Sequence, residues 1–187
     1  MLSTLIKEQT KSAHQQVESN IVRHIKKIEN EADYADLLKG FYAYFKAVED
    51  ETGKFITTEV LPDKDNRRNS SYIERDIKSL GHDLSNLPQA IAPTVNSELE
   101  ALSSLYVLEG SIMGGPYIVQ MLRKIGIERG FSFFEGYGDQ SEAMWTGFTE
   151  VLNRFGDDSN QHDRAIELAN QTFYNFGNVF QKENSLQ

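Results

Sequence analysis

His14 is the residue of this chain whose type and setting most suggest chemistry. It lies in TKSAHQQVES (residues 10–19), with Lys7 and Lys11 before it and Glu18 one helical turn after it. At 100° per residue, with Lys7 as zero, Lys11 falls near 40°, Glu18 near 20° and His14 near 340°. Ile6, Thr10, Ala13 and Val17 span about 240° to 300° on the same wheel. His14 therefore sits on the seam between an apolar stripe and a face bearing two cations. An imidazole at such a seam can turn one nitrogen inward while a carboxylate one turn on holds the other, which is how a metal-bound histidine is normally oriented. The plain alternative is a half-buried histidine among solvated lysines, because one histidine alone does not make a metal site.

The second stretch is GSIMGGP, residues 110–116, which interrupts helical periodicity with three glycines and a proline. Each interior glycine costs about 1 kcal/mol relative to alanine. Either another helix packs against bare backbone there or a flat ligand does. Phe173, Phe176 and Phe180, with Phe131, Phe133, Phe134, Tyr137 and Trp145, could line a cofactor pocket, although core packing is the ordinary role of such rings. His24, His82 and His162 fall in polar stretches and read as surface residues. The E-x-x-H pairs of di-iron bundles are absent, as are H-E-x-x-H, G-x-x-x-x-G-K-[ST] and G-x-S-x-G. A helical domain without these must take any chemistry it has from a bound cofactor.

The elements that position these residues are all helical by their spacing. Apolar residues recur at three and four almost throughout, which predicts an all-α chain. Ser3 can cap a first helix reaching about Asn20. A second runs from near Glu31 to near Thr58, with Tyr34, Leu37, Leu38, Phe41, Phe45 and Val48 on its core face. SYIERDIKSLG has capping-box spacing at Ser71 and Glu74 and a stop at Gly81. After NLPQAIAP, periodicity resumes from Thr94 to about Arg129, and Pro116 predicts a bend by removing a donor and crowding the preceding turn. A helix around Trp145 and a last one carrying Ile166, Ala169, Phe173, Phe176 and Phe180 complete the set.

At 187 residues with 39% apolar content, the chain has the length for one well-buried domain, taken as 1–187. The net charge of −9, with no cluster of five or six basic residues, speaks against broad nucleic-acid or anionic-membrane binding. No uncharged run approaches the ~20 residues of a membrane span and no basic region precedes an apolar core, so a cytoplasmic protein is expected. The absence of cysteine removes disulfides, thiolate metal sites and thiol nucleophiles.

These features together resemble the haem oxygenases. LIKEQTKSAHQQVE resembles their proximal helix, where Lys, Thr, Lys, the iron-ligating His and a following Glu occur at the spacing of Lys7, Thr10, Lys11, His14 and Glu18. YADLLKGFYAYFKAVEDE is similar to their second helix, RDIKSLG to a short helix ending in glycine, and LYVLEGSIMGG to the distal helix of bacterial members. FFEGYG followed by Trp145 and Phe148 resembles the bacteriophytochrome-associated bacterial enzymes, and ANQTFYNF the last helix. The likeness covers most of the chain in the right order.

The resemblance implies a single-domain multi-helical bundle with a bent, glycine-bearing distal helix and haem between it and the first helix. His14 would be the neutral axial iron ligand and Glu18 would accept from its other nitrogen. Lys7 and Lys11 would face the propionates, and Met113, Tyr137 and Phe173 would contact the macrocycle. Gly110, Gly114 and Gly115 would let dioxygen sit against bare backbone. Ser111 stands where animal-type members carry Asp, and a serine anchors water but carries protons poorly. Thr146 stands where a basic residue often helps hold a propionate, and Pro116 is a further departure. The implied reaction opens haem oxidatively to biliverdin, carbon monoxide and ferrous iron, with haem as both substrate and cofactor. Dioxygen is consumed, and electrons come from an external ferredoxin or reductase, since no flavin or nicotinamide motif is present. The rival readings are a non-catalytic haem-sequestering protein on the same scaffold and an unrelated helical interaction module.

Overall fold

The longest helix, α3 (Glu31–Thr52), buries Tyr34, Leu38, Phe41, Tyr44, Phe45 and Val48. Its sequence is apolar on more than one face, as a helix enclosed by neighbours must be. The structure, a computed structural model, describes residues 1–181. Those residues form eight α-helices and no strand, so the all-α expectation is met. The others are α1 (Leu2–Gln9), α2 (Lys11–Ile25), α4 (Ser70–Ser79), α5 (Glu98–Gly110), α6 (Gly115–Lys124), α7 (Ser141–Phe155) and α8 (His162–Val179).

Phe41 and Phe45 meet Phe133, Phe134 and Phe176 edge to face, with centroids 5.0–6.0 Å apart. Each such pair is worth about 0.5–1.5 kcal/mol beyond area burial, so this cluster fixes the aromatic loop and α8 against α3. Buried Tyr34 and Tyr44 discharge their hydroxyls on the carbonyls of Gly130 and Thr172, at 2.5 and 2.6 Å. Asp76 on α4 accepts from the amides of Ser132 and Phe133 and from the Ser132 hydroxyl at 2.6–3.0 Å, which pins the loop carrying Phe133 and Phe134.

Several boundaries differ from the sequence expectations, each for a local reason. The first helix begins at Leu2, because the Ser3 amide is taken by the Asn153 side chain at 2.8 Å and Ser3 caps nothing. It continues past Asn20 to Ile25 but breaks at Thr10, whose hydroxyl bonds to the Ile6 carbonyl at 2.7 Å. Such back-bonding by threonine competes with the helical ladder. α3 stops at Thr52, six residues short of the expected end, with Asn30 as its N-cap. Asn69, not Ser71, caps α4, and Gly81 ends it with φ +81°. Ser97 caps α5 by accepting from the Glu100 amide.

Ser70 is drawn instead to Glu49, which accepts from its amide at 2.7 Å and its hydroxyl at 2.5 Å. Burial raises the Glu49 carboxyl above its ordinary value, although both Ser70 bonds pull it down. A carboxyl raised on folding holds its proton more tightly in the folded state, so ionising it lowers stability as pH rises through the mildly acid range. Glu49→Gln keeps the shape and removes the charge. Its stability, measured by urea denaturation between pH 4.5 and 7, is expected to fall less with rising pH than the parent's.

Candidate functional site

Between α5 and α6 the glycine-bearing helix is interrupted, its backbone staying in the right-handed helical region at Gly110 and Gly114. Gly110 ends α5, Ser111–Met113 form one 3₁₀ turn, and Gly115 opens α6. Pro116 stands at the start of this new helix, where an amide would have no intrahelical partner, so it restarts the helix and removes no ladder bond. The three glycines serve different ends. A Cβ on Gly115 would lie 1.9 Å from the Phe134 carbonyl oxygen, so this glycine exists for close packing of α6 on the aromatic loop. A Cβ on Gly110 would touch the Trp145 ring at 3.4 Å, whereas one on Gly114 would meet nothing nearer than 3.8 Å. Close packing on bare backbone is therefore realised at Gly115, against a loop carbonyl and not another helix, while Gly114 has no packing partner that requires a glycine.

α2 and α5 both pack on α8, and between α2 and the 3₁₀ turn lies a cleft of about 470 Å³. That volume falls in the range of small-molecule and cofactor sites. Val17, Ile21, Phe173 and Phe176 line it beside His14, while Tyr106, Gly110, Ser111, Met113, Gly114 and Trp145 form the other wall. His14 is half exposed, with Nε2 3.4 Å from Glu18 Oε1 and its ring centroid 5.3 Å from that of Phe173. At that distance Glu18 is near enough to orient the imidazole without a short hydrogen bond. Lys7 stands exposed at the mouth. No carboxylate of the described residues lies within ion-pair distance of it.

Of the residues singled out in the sequence, the structure brings Lys7, His14, Glu18, Gly110, Ser111, Met113, Gly114 and Phe173 to this one cleft. Lys11, Gly115 and Tyr137 do not line it. Lys11 is exposed and, of Lys7, Lys11, His14 and Glu18, lies farthest from the apolar stripe on the helical wheel. Gly115 is consumed by the Phe134 contact. Tyr137 lies behind the distal turn, where its hydroxyl meets the Glu109 carboxylate at 3.2 Å and accepts from the Arg68 amide at 2.9 Å. Among the described residues no three His, Asp or Glu side chains cluster as a metal site. His24, His82 and His162 are partly buried, not surface residues, and His24 and His162 each approach a backbone carbonyl, of Phe180 and Gly156 respectively.

Sequence reasoning missed what backs this wall. Arg67 and Arg68, in a stretch read as a polar loop, are both buried. Arg67 pairs with Glu109 at 2.6 Å and with Asp63 at 2.8 Å. Arg68 donates to the carbonyls of Phe133 and Leu108, at 2.9 and 3.0 Å, and to the Ser111 hydroxyl at 2.6 Å. Burial pulls the Arg68 guanidinium down to about 10, still charged at neutral pH, and pushes the Glu109 carboxyl up. The available signal was Glu109 itself, a lone charge within LYVLEG that needs a buried partner. Tyr117 and Ile118 also line the cleft; they stand four positions beyond Met113 and Gly114 respectively, the spacing that shares a helical face.

Fold and cleft define a helical protein with a mainly apolar cleft of ligand size, with an imidazole on one wall and a cation at the mouth. The heme oxygenase family model matches residues 1–182. The chain belongs to the heme oxygenase family of enzymes. It is 29% identical over 145 residues to a heme oxygenase of Xanthomonas campestris pv. campestris (strain 8004), covering 76% of this chain and 86% of that protein. In fold it is similar to the NO- and CO-bound heme oxygenase of Neisseria meningitidis, with TM-score 0.84, 20% identity and coverage of 100% of this chain and 94% of that one. Leptospira interrogans heme oxygenase superposes with TM-score 0.77 at 19% identity, covering 97% of this chain and 98% of that one. For heme oxygenase-1 of Synechocystis sp. PCC6803 in complex with heme the TM-score is 0.73 at 20% identity, with 97% and 91% covered. Among the described residues no helix is long and apolar enough to cross a membrane.

Proposed function

We propose that this chain binds haem in the cleft and opens it oxidatively to biliverdin, carbon monoxide and ferrous iron. The observation that carries this reading is the pairing of His14 on one wall with the unobstructed backbone at Gly114 on the other, across a slot lined by aromatic and aliphatic side chains. These residues fit haem: His14 would offer a ring nitrogen to the iron, Glu18 would orient it, and the Lys7 ammonium at the mouth, without a carboxylate partner among the described residues, suits a propionate. Val17, Ile21, Phe134 and Phe173 cover apolar faces and keep bulk water off them. Gly114, which has no side chain, would leave room on the wall opposite His14 for a diatomic molecule. Haem, when bound, would supply both the redox centre for dioxygen and the macrocycle that is opened. Electrons must come from an external ferredoxin or reductase, since the chain carries no flavin or nicotinamide motif.

The test is spectroscopic. Purified protein reconstituted with hemin and given a reductant under oxygen should lose its Soret band as biliverdin absorption rises. A Soret band that persists through repeated reduction would leave only sequestration, and no Soret band would end both haem readings.

A further inference from the structure

The Ser111 hydroxyl is committed more completely than a serine on a ligand wall needs to be. Its oxygen lies 2.6 Å from the Leu108 carbonyl oxygen, and two oxygens that close must share a proton, so Ser111 donates there. The same oxygen accepts from Arg68 Nη2 at 2.6 Å. A hydroxyl has one proton and two lone pairs, which leaves Ser111 one lone pair and no proton for the cleft that it lines. Arg68 is held for this contact by its other bonds, to Leu108 and Phe133, and by the Phe133 ring 4.0 Å from its guanidinium carbon. It cannot reverse roles, because a guanidinium has donors only.

We infer that Arg68 is a positioning residue that fixes Ser111 as a pure acceptor, so that any water seated beside the distal turn must donate to Ser111. Such a water keeps its second proton for the interior of the cleft. Ser111 therefore orients a proton carried by water and supplies none itself. A serine can then serve in this wall without the acidity of a carboxyl group. The inference rests on the haem reading for the cleft's occupant, while the Arg68 contacts exist without it.

Two measurements test it. In hemin-loaded, reduced protein under carbon monoxide, the C–O stretch reports the sign of the local field: a facing lone pair raises it and a facing donor lowers it. Ser111→Ala, which releases the oriented water and its inward proton, is expected to shift the stretch to higher frequency in the parent. In Arg68→Lys the same substitution should lose that shift, since an ammonium keeps the buried charge but cannot span Phe133, Leu108 and Ser111 as the planar fork does. A downward shift on Ser111→Ala in the parent, or an equal shift in both backgrounds, would overturn the proposal. In ligand-free protein, Arg68→Lys should raise amide exchange at residues 111–114 by about tenfold or more while α1 and α2 are unaffected. Unchanged exchange there would also overturn it. Failure of hemin to give any Soret band would instead strike the functional reading, with the exchange experiment still deciding the role of Arg68.

Discussion

Gly115→Ala is expected to be among the most destabilising single-methyl changes in this protein, while Gly114→Ala, one residue earlier, should fold almost normally. The added carbon at 115 would lie 1.9 Å from a backbone oxygen, that of Phe134, which is pinned in turn by Asp76 and the aromatic cluster. A flexible side chain could swing aside, but α6 or the loop must move as a unit. Overpacking typically costs about 1–3 kcal/mol and backbone clashes lie at the upper end or beyond, so roughly 3 kcal/mol or more is expected. For a chain of this size that lowers Tm by about 6–12 °C. At 114 the nearest atom is 3.8 Å away, and the stability change should stay within about 0.5 kcal/mol. That methyl instead enters the cleft and should weaken hemin binding. Thermal unfolding of both variants, with a hemin titration of Gly114→Ala, separates the packing glycine from the cleft glycine.

His14→Ala should give the opposite pattern: a stable fold and a lost site. The side chain is half exposed, touches the Phe173 ring and stands 3.4 Å from Glu18, so its removal should cost under about 1 kcal/mol of stability. In the proposed role of iron ligand it matters far more. Partners that merely orient a ligating histidine are worth about 10–100-fold in metal affinity, so loss of the ligand itself should cost at least about 100-fold in hemin affinity. Glu18→Gln should fall within that lesser range. Added imidazole should restore the axial-ligand spectrum of His14→Ala but not of a variant whose cleft is blocked. An unfolded His14→Ala with a parent that ignores hemin would return His14 to an ordinary structural histidine.

The parts legible in the sequence were those governed by local spacing. α3 and α8 announce themselves because their apolar residues recur at three and four, and Gly81 because a stop in the left-handed region suits glycine. His14 and GSIMGGP each stood out for breaking a local pattern. What the sequence hid depends on partners distant along the chain. The helix break at Thr10 is one hydroxyl's choice of carbonyl, and Ser3 lost its capping role to Asn153, 150 positions away. Lys11 and Lys7 look equivalent by type and spacing, yet only Lys7 lies on the cleft side. Arg67 and Arg68 read as loop charge because nothing nearby says that Glu109, 42 and 41 positions on, will be buried against them. Gly115 shows the same limit, since a glycine for a ligand and a glycine for a carbonyl are written identically.

Trp145 is the chain's single tryptophan and lines the cleft, which gives the site its own reporter. Titrating the protein with hemin while following the Soret band and tryptophan fluorescence together tests the central claim most directly. Both signals should change in parallel and saturate at one hemin per chain, with fluorescence strongly quenched. A Soret band that forms while Trp145 stays bright, or no Soret band at all, would contradict the placement of haem between His14 and the distal turn.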